Sequence, residues 1–126
     1  MKNKALSNYE AAKLLVANSY FESAASRAYY AVYLMAWHFL DVMGENPRDE
    51  SRDGNYYWRH YDFPDILCDE YGVIGPIQRK NFELLRQYRI KADYYLDEIE
   101  EYEAKRSILF ANELILHFSS EEGRIE

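Results

Sequence analysis

The chain has 126 residues, a net charge of −7 and a single cysteine, Cys68. Its length fits one domain over residues 1–126, its acidity disfavours general coating of phosphate backbones, and its lone cysteine excludes an intrachain disulfide and fits a reducing, cytoplasmic setting. Three prolines and five glycines punctuate it too sparsely for a many-stranded sheet, so an all-α fold is expected.

The opening Met1-Lys2-Asn3-Lys4 leads into no sustained apolar run, so no signal peptide is expected. A first helix is predicted over residues 5–17, on an approximate stripe of Leu6, Tyr9, Ala12 or Lys13, Val16 and Tyr20. A second follows over residues 21–43, with Gly44 as a left-handed stop. Its stripe is Ala24, Ala28, Ala31, Met35 and Val42. The apolar stretch 28–40 inside it is broken by His38 and is too short to cross a bilayer, so no membrane association is expected.

Residues 45–61 are polar and read as a long surface loop, a kind often functional or mobile. A short helix is expected over residues 64–71, with Pro64 in its first turn. Another helix is expected over residues 77–95, and a last one over residues 97–119, its acidic start suiting the positive end of the helix dipole. Residues 120–126 should fray. Short links between long amphipathic helices predict an up-and-down four-helix bundle with an additional short helix.

Within this frame the octet Ser26-Arg27-Ala28-Tyr29-Tyr30-Ala31-Val32-Tyr33 stands out. Arg27 and Tyr30, three apart, share a helix face. They are either an interfacial pair, with the arginine snorkelling to water, or part of a polar slot for a phosphate or carboxylate. A second cluster follows at Arg89-Ile90-Lys91-Ala92-Asp93-Tyr94-Tyr95. Arg89 and Asp93 are spaced for an intrahelical ion pair. Arg79, Lys80, Arg86, Arg89 and Lys91 make that helix basic within an acidic chain, a local anion site unless the acidic start of the last helix neutralises it.

His38, His60 and His117 are scattered. Only Glu113 and His117 stand four apart, so neither a metal site nor a cofactor is expected. No phosphate-cradling glycine loop and no nucleophile elbow occur. Cys68 reads as a packed residue rather than a nucleophile. The run Tyr56-Tyr57-Trp58-Arg59-His60-Tyr61 offers rings for stacking on bases, or a lid over the bundle end, or a dimer contact.

Ser26-Arg27-Ala28-Tyr29-Tyr30-Ala31, followed later by Arg89-x-x-Ala92-Asp93-Tyr94, resembles the two helical signatures of the small prokaryotic HEPN family (higher eukaryotes and prokaryotes nucleotide-binding). Ala11-Ala12-Lys13-Leu14-Leu15 ahead of Tyr20-Phe21 is similar to its first helix, and the likeness spans roughly residues 5–118. The resemblance implies a helical bundle like the substrate-binding domain of aminoglycoside nucleotidyltransferases. It also implies a homodimer, and a minimal nucleotidyltransferase as partner, often in a toxin–antitoxin pair.

Some branches of that family are metal-independent endoribonucleases, with an arginine, four to six residues, then a histidine. This chain departs from that pattern. The histidine positions after Arg89 hold Tyr94, Tyr95 and Leu96, and those after Arg86 hold Lys91, Ala92 and Asp93. Arg52 precedes His60 with one residue too many between them. The usual general acid–base is therefore missing. The leading expectation is a non-catalytic protein binding a nucleotide, RNA or another anionic group. Arg27, Arg86 and Arg89 would hold phosphate, Tyr30 and Tyr94 would stack or hydrogen-bond, and Asp93 would orient Arg89. His60 is a further candidate, loosely matching a central-loop histidine of the family. An atypical endoribonuclease using His60, and a structural dimerising bundle without ligand, are the alternatives.

Overall fold

A computed structural model describes residues 1–125. The described chain is predominantly α-helical: α1 (Lys2–Ala17), α2 (Phe21–Val42), α3 (Phe63–Asp65), α4 (Pro76–Tyr94) and α5 (Glu101–Gly123). Strands β1 (Asp49–Glu50) and β2 (Tyr56–Tyr57) lie between α2 and α3, and a π-helical turn (Ile66–Glu70) continues α3. None of the described helices is long and apolar enough to cross a membrane.

α2 is the central element, packing against α1, α4 and α5. Its buried Ala24, Ala25, Ala28, Ala31 and Ala36 have side chains small enough for neighbouring backbones to come close. On α1 the buried positions are Ala5 and Ala12, whereas Leu6 and Tyr20 of the expected stripe are exposed. The reason is the same close approach: small residues sit at the fully buried positions of α1, while Tyr9 and Val16 of the stripe are only partly buried against the core.

α1 and α2 end alike. Ser19 and Gly44 take left-handed backbone, φ 63° and 83°. Tyr20 N donates to Leu15 O and Ser19 N to Val16 O; Glu45 N donates to Leu40 O and Gly44 N to Asp41 O. Each pair of bonds satisfies carbonyls that a helix end leaves open. At Gly44 this geometry is free of side-chain strain; at Ser19 it costs about 1 kcal/mol.

The segment expected as an open loop is a folded hairpin. Asp49 pairs with Tyr57 and Glu50 with Tyr56, antiparallel, around a turn with Gly54 at φ 86°. Trp58 then enters the core with no exposed surface. It stacks on Phe63 at 5.4 Å between centroids, and its carbonyl accepts the Tyr33 O–H at 2.5 Å. Arg48 lies over the same indole and pairs with Glu70 at 2.5 Å. A large aromatic surface gains more from burial than the polar character of its neighbours opposes.

α5 begins later than its acidic lead suggests, because Asp97 and Glu98 belong to the link from α4. Glu100 N donates to Glu103 Oε1 at 2.9 Å, and buried Ile99 packs in one cluster with Ala104. These two contacts fix the helix start. At its far end α5 runs through Ser120 to Gly123, a stretch whose composition predicts fraying, and there Glu122 accepts from His38 at 3.0 Å and pairs with Lys2. Truncation of Trp58 to alanine is expected to cost about 3–5 kcal/mol of stability, read from urea unfolding, while helix content before the transition stays near wild type.

Candidate functional site

Three elements meet where α2 faces α4. From α2 come Ser26, Tyr29, Tyr30 and Tyr33; from α4 come Arg86, Arg89 and Asp93; from the stretch after β2 comes His60. Helical spacing of three and four stacks the α2 residues toward α4. The hairpin carries His60 in from above, because Trp58 two residues earlier is anchored in the core.

His60 is the hub. Its ring stacks on Tyr33 at 4.2 Å and stands edge-on to Tyr30 at 6.0 Å. Its Nδ1 lies 2.7 Å from Tyr29 Oη. The fully buried Tyr29 phenol has this nitrogen as its one hydrogen-bond partner among the described residues, so its O–H donates to Nδ1. In the neutral ring the proton then sits on Nε2.

Burial pushes the His60 pKa down from 6.5 to about 4, and the nearby charges of Arg89 and Arg86 add to the effect. Burial likewise pushes the Tyr29 phenol well above the ordinary tyrosine range, the neighbouring Tyr33 adding to it. Both partners are therefore neutral at physiological pH, and His60 is a weak base there.

Arg89 closes the cluster on the α4 side. Its Nη2 donates to Tyr30 Oη at 2.6 Å, and its Nε lies 3.0 Å from Asp93 Oδ2. That ion pair is not aligned as a hydrogen bond, and Nε has no other partner among the described residues. The guanidinium sits over the rings of Tyr30 and Tyr94, at 5.2 and 5.3 Å. Burial opposes its charge, but Tyr30, Tyr94 and Asp93 outweigh this and raise its pKa. Ser26 Oγ donates to Asp93 Oδ2 at 3.4 Å.

Arg86 lies at the edge, held by Glu83 through both carboxylate oxygens. That hydrogen-bonded pair raises its pKa, and its guanidinium covers the Tyr61 ring at 5.3 Å.

Of the residues singled out in sequence, Tyr30, Arg89, Asp93, Tyr94 and His60 come together, with Arg86 beside them. Arg27 does not join them. It is exposed on the side of α2 that faces α1, where its Nη1 donates to Asn8 Oδ1 at 3.2 Å. The correction follows from the central place of α2: Tyr30 serves its contact with α4 and Arg27 its contact with α1. Tyr29 and Tyr33 carry more of the cluster than their mere presence in the octet indicates. Their four-residue spacing is the one signal of this in the sequence.

A groove of about 820 Å³ opens on the outer side of α4 among Tyr61, Ile77, Arg79, Lys80, Leu84 and Phe110. Neither His60 nor Arg89 lines it. Among the described residues, no three of His, Cys, Asp or Glu gather as metal ligands would.

Because folding withholds a proton from His60 between pH 6.5 and about 4, the unfolded chain binds more protons in that window. Its contribution to stability therefore falls as pH drops through it. His60→Gln keeps an acceptor for Tyr29 but does not titrate. Unfolding of this variant is expected to depend less on pH across that window than unfolding of the wild type, and the ring resonances of wild-type His60 should titrate near pH 4 by NMR.

No protein-family model matches this chain, and no curated protein is similar enough to be a relative.

Proposed function

We propose that the protein is a non-catalytic binder of a nucleotide or another anionic group, and that Arg89 is its anion contact. The observation that carries this reading is the state of the Arg89 guanidinium. It is 15% exposed, it is held by Tyr30 and Asp93, and its Nη1 makes no hydrogen bond among the described residues. A phosphate oxygen at Nη1 gains a charge-assisted bond. The Tyr94 ring, 68% exposed and lying over the guanidinium, offers a face on which a base stacks.

Asp93 is the competitor. Its side chain is 31% exposed, so a doubly charged phosphate can take over part of its hold on Arg89. The HEPN resemblance adds an up-and-down bundle architecture and names a minimal nucleotidyltransferase, in a toxin–antitoxin pair, as the partner protein. The partner's nucleotide would then be the ligand.

A second reading, an atypical endoribonuclease, is favoured by one observation: His60, far from Arg89 in sequence, lies within its electrostatic reach. The proton on Nε2 and the pKa of about 4 make His60 a donor to an anion rather than a general base at neutral pH.

Titration calorimetry against the common nucleoside mono-, di- and triphosphates is expected to give binding that Arg89→Ala weakens about 10- to 100-fold. Tyr94→Ala is expected to weaken base-containing ligands more than inorganic phosphate. The absence of heat with every nucleotide, together with no nucleotidyltransferase on copurification, would sink the reading. Metal-free cleavage of RNA that His60→Ala abolishes would replace it with the second.

A further inference from the structure

The outer face of α5 presents a separate feature. Tyr102, Leu109 and Leu116 are 60%, 55% and 60% exposed. They recur every seven residues, a spacing that drifts by only about 20° per repeat on a helix, so they form one ridge. The ridge lies opposite the buried Ala104, Ala111, Leu114 and Phe118 that face the core. The groove beside it, between α4 and α5, adds the apolar surface of Ile77, Leu84 and Phe110.

The charges flanking this ridge are arranged asymmetrically along it. Arg106 stands three residues before Leu109 and Glu113 four after, both on the same flank. Glu113 is exposed and has neither an ion pair nor a side-chain hydrogen bond among the described residues. Arg106 uses Nη1 on Tyr88 Oη at 3.1 Å, which leaves it further donors.

We infer that this ridge is the seam of a homodimer, in which α5 packs antiparallel against α5 of a second copy with Leu109 at the twofold axis. A twofold contact needs a patch complementary to itself. In this register Leu109 meets Leu109, and Tyr102 of each copy meets Leu116 of the other. On the shared flank, Arg106 of one copy stands about one residue rise, ~1.5 Å along the axis, from Glu113 of the other. On the opposite flank Lys105 meets Asn112. A parallel pairing would instead bring opposite flanks together, setting Arg106 against Lys105 and leaving Glu113 against Asn112, so the charges select the antiparallel one. The seam is distant from the His60–Arg89 cluster in sequence and does not depend on the ligand proposed there.

Light scattering on the intact protein tests the seam. The wild type is expected to reach twice the 15.0 kDa chain mass with rising concentration, and Leu109→Asp to remain at the single-chain mass. In a Cys68→Ala background, Leu109→Cys should oxidise to a disulfide-linked dimer, because the axis sets the two introduced thiols side by side. Arg106→Glu and Glu113→Arg should each weaken association about tenfold or more, and the double reversal should restore it.

Circular dichroism checks that each variant folds. If Leu109→Asp does not fold, crosslinking and the charge reversal decide. A wild type that stays monomeric at every concentration overturns the inference. So does a dimer that survives Leu109→Asp, and so does a dimer in which the thiols introduced by Leu109→Cys fail to join.

Discussion

The fold depends on how closely three helices approach α2. Alanines at 24, 25, 28, 31 and 36 make this possible, but these small positions cannot fill a core by themselves. The missing volume is supplied on one side by Tyr29 and Tyr33, and beyond them by Trp58 and Phe63. Filling space with tyrosine brings an obligation, because a buried hydroxyl without a partner is costly. Tyr29 meets it with His60, Tyr33 with the Trp58 carbonyl, and half-buried Tyr30 with Arg89. The central hairpin is thus drawn onto the helices by the polar tips of the residues that pack them.

The same arrangement sets the electrostatics. A histidine lodged among aromatic rings and beside two guanidinium groups stays neutral. The arginines carry their charge at any physiological pH, and each is balanced by an acidic neighbour on its own helix, Glu83 for Arg86 and Asp93 for Arg89. The region is therefore balanced in charge. An anion bound there, as proposed, would have to compete with a carboxylate, which would favour a multiply charged group over a single carboxylate.

Periodicity and punctuation make much of the scaffold legible. Gly44 marks the end of α2, and the stripe of Ala24, Ala28, Ala31 and Met35 marks its buried face. What periodicity does not encode is contact between distant segments. Trp58 lies in a polar stretch whose composition predicts solvent, and its burial comes from Phe63, Tyr71 and Tyr33. Ser19 adopts a backbone that sequence would assign to glycine. The end of α5 looks like a fraying tail until His38, on another helix, reaches Glu122. In the cluster, the Arg89–Asp93 pair can be read from its spacing. Tyr29 with His60 cannot, because the two are 31 residues apart and no local pattern joins them. The division of α2 into one face for α1 and another for α4 also lies beyond a one-dimensional reading, and it separates Arg27 from the rest.

The chain has two tryptophans, and they occupy different kinds of structure. Trp37 lies half-buried on α2, whereas Trp58 is sealed in the core at the exit of the hairpin. Replacing Trp37 with phenylalanine would leave the indole of Trp58 as the sole tryptophan emitter, packed beside the Arg48 cation. Its emission would report docking of the hairpin, while far-ultraviolet dichroism reports the helices. Coincident transitions by the two signals would make hairpin and helices one cooperative unit. Earlier loss of the fluorescence signal would identify the hairpin as a separate opening unit, which would uncover His60 while α2 and α4 remain packed.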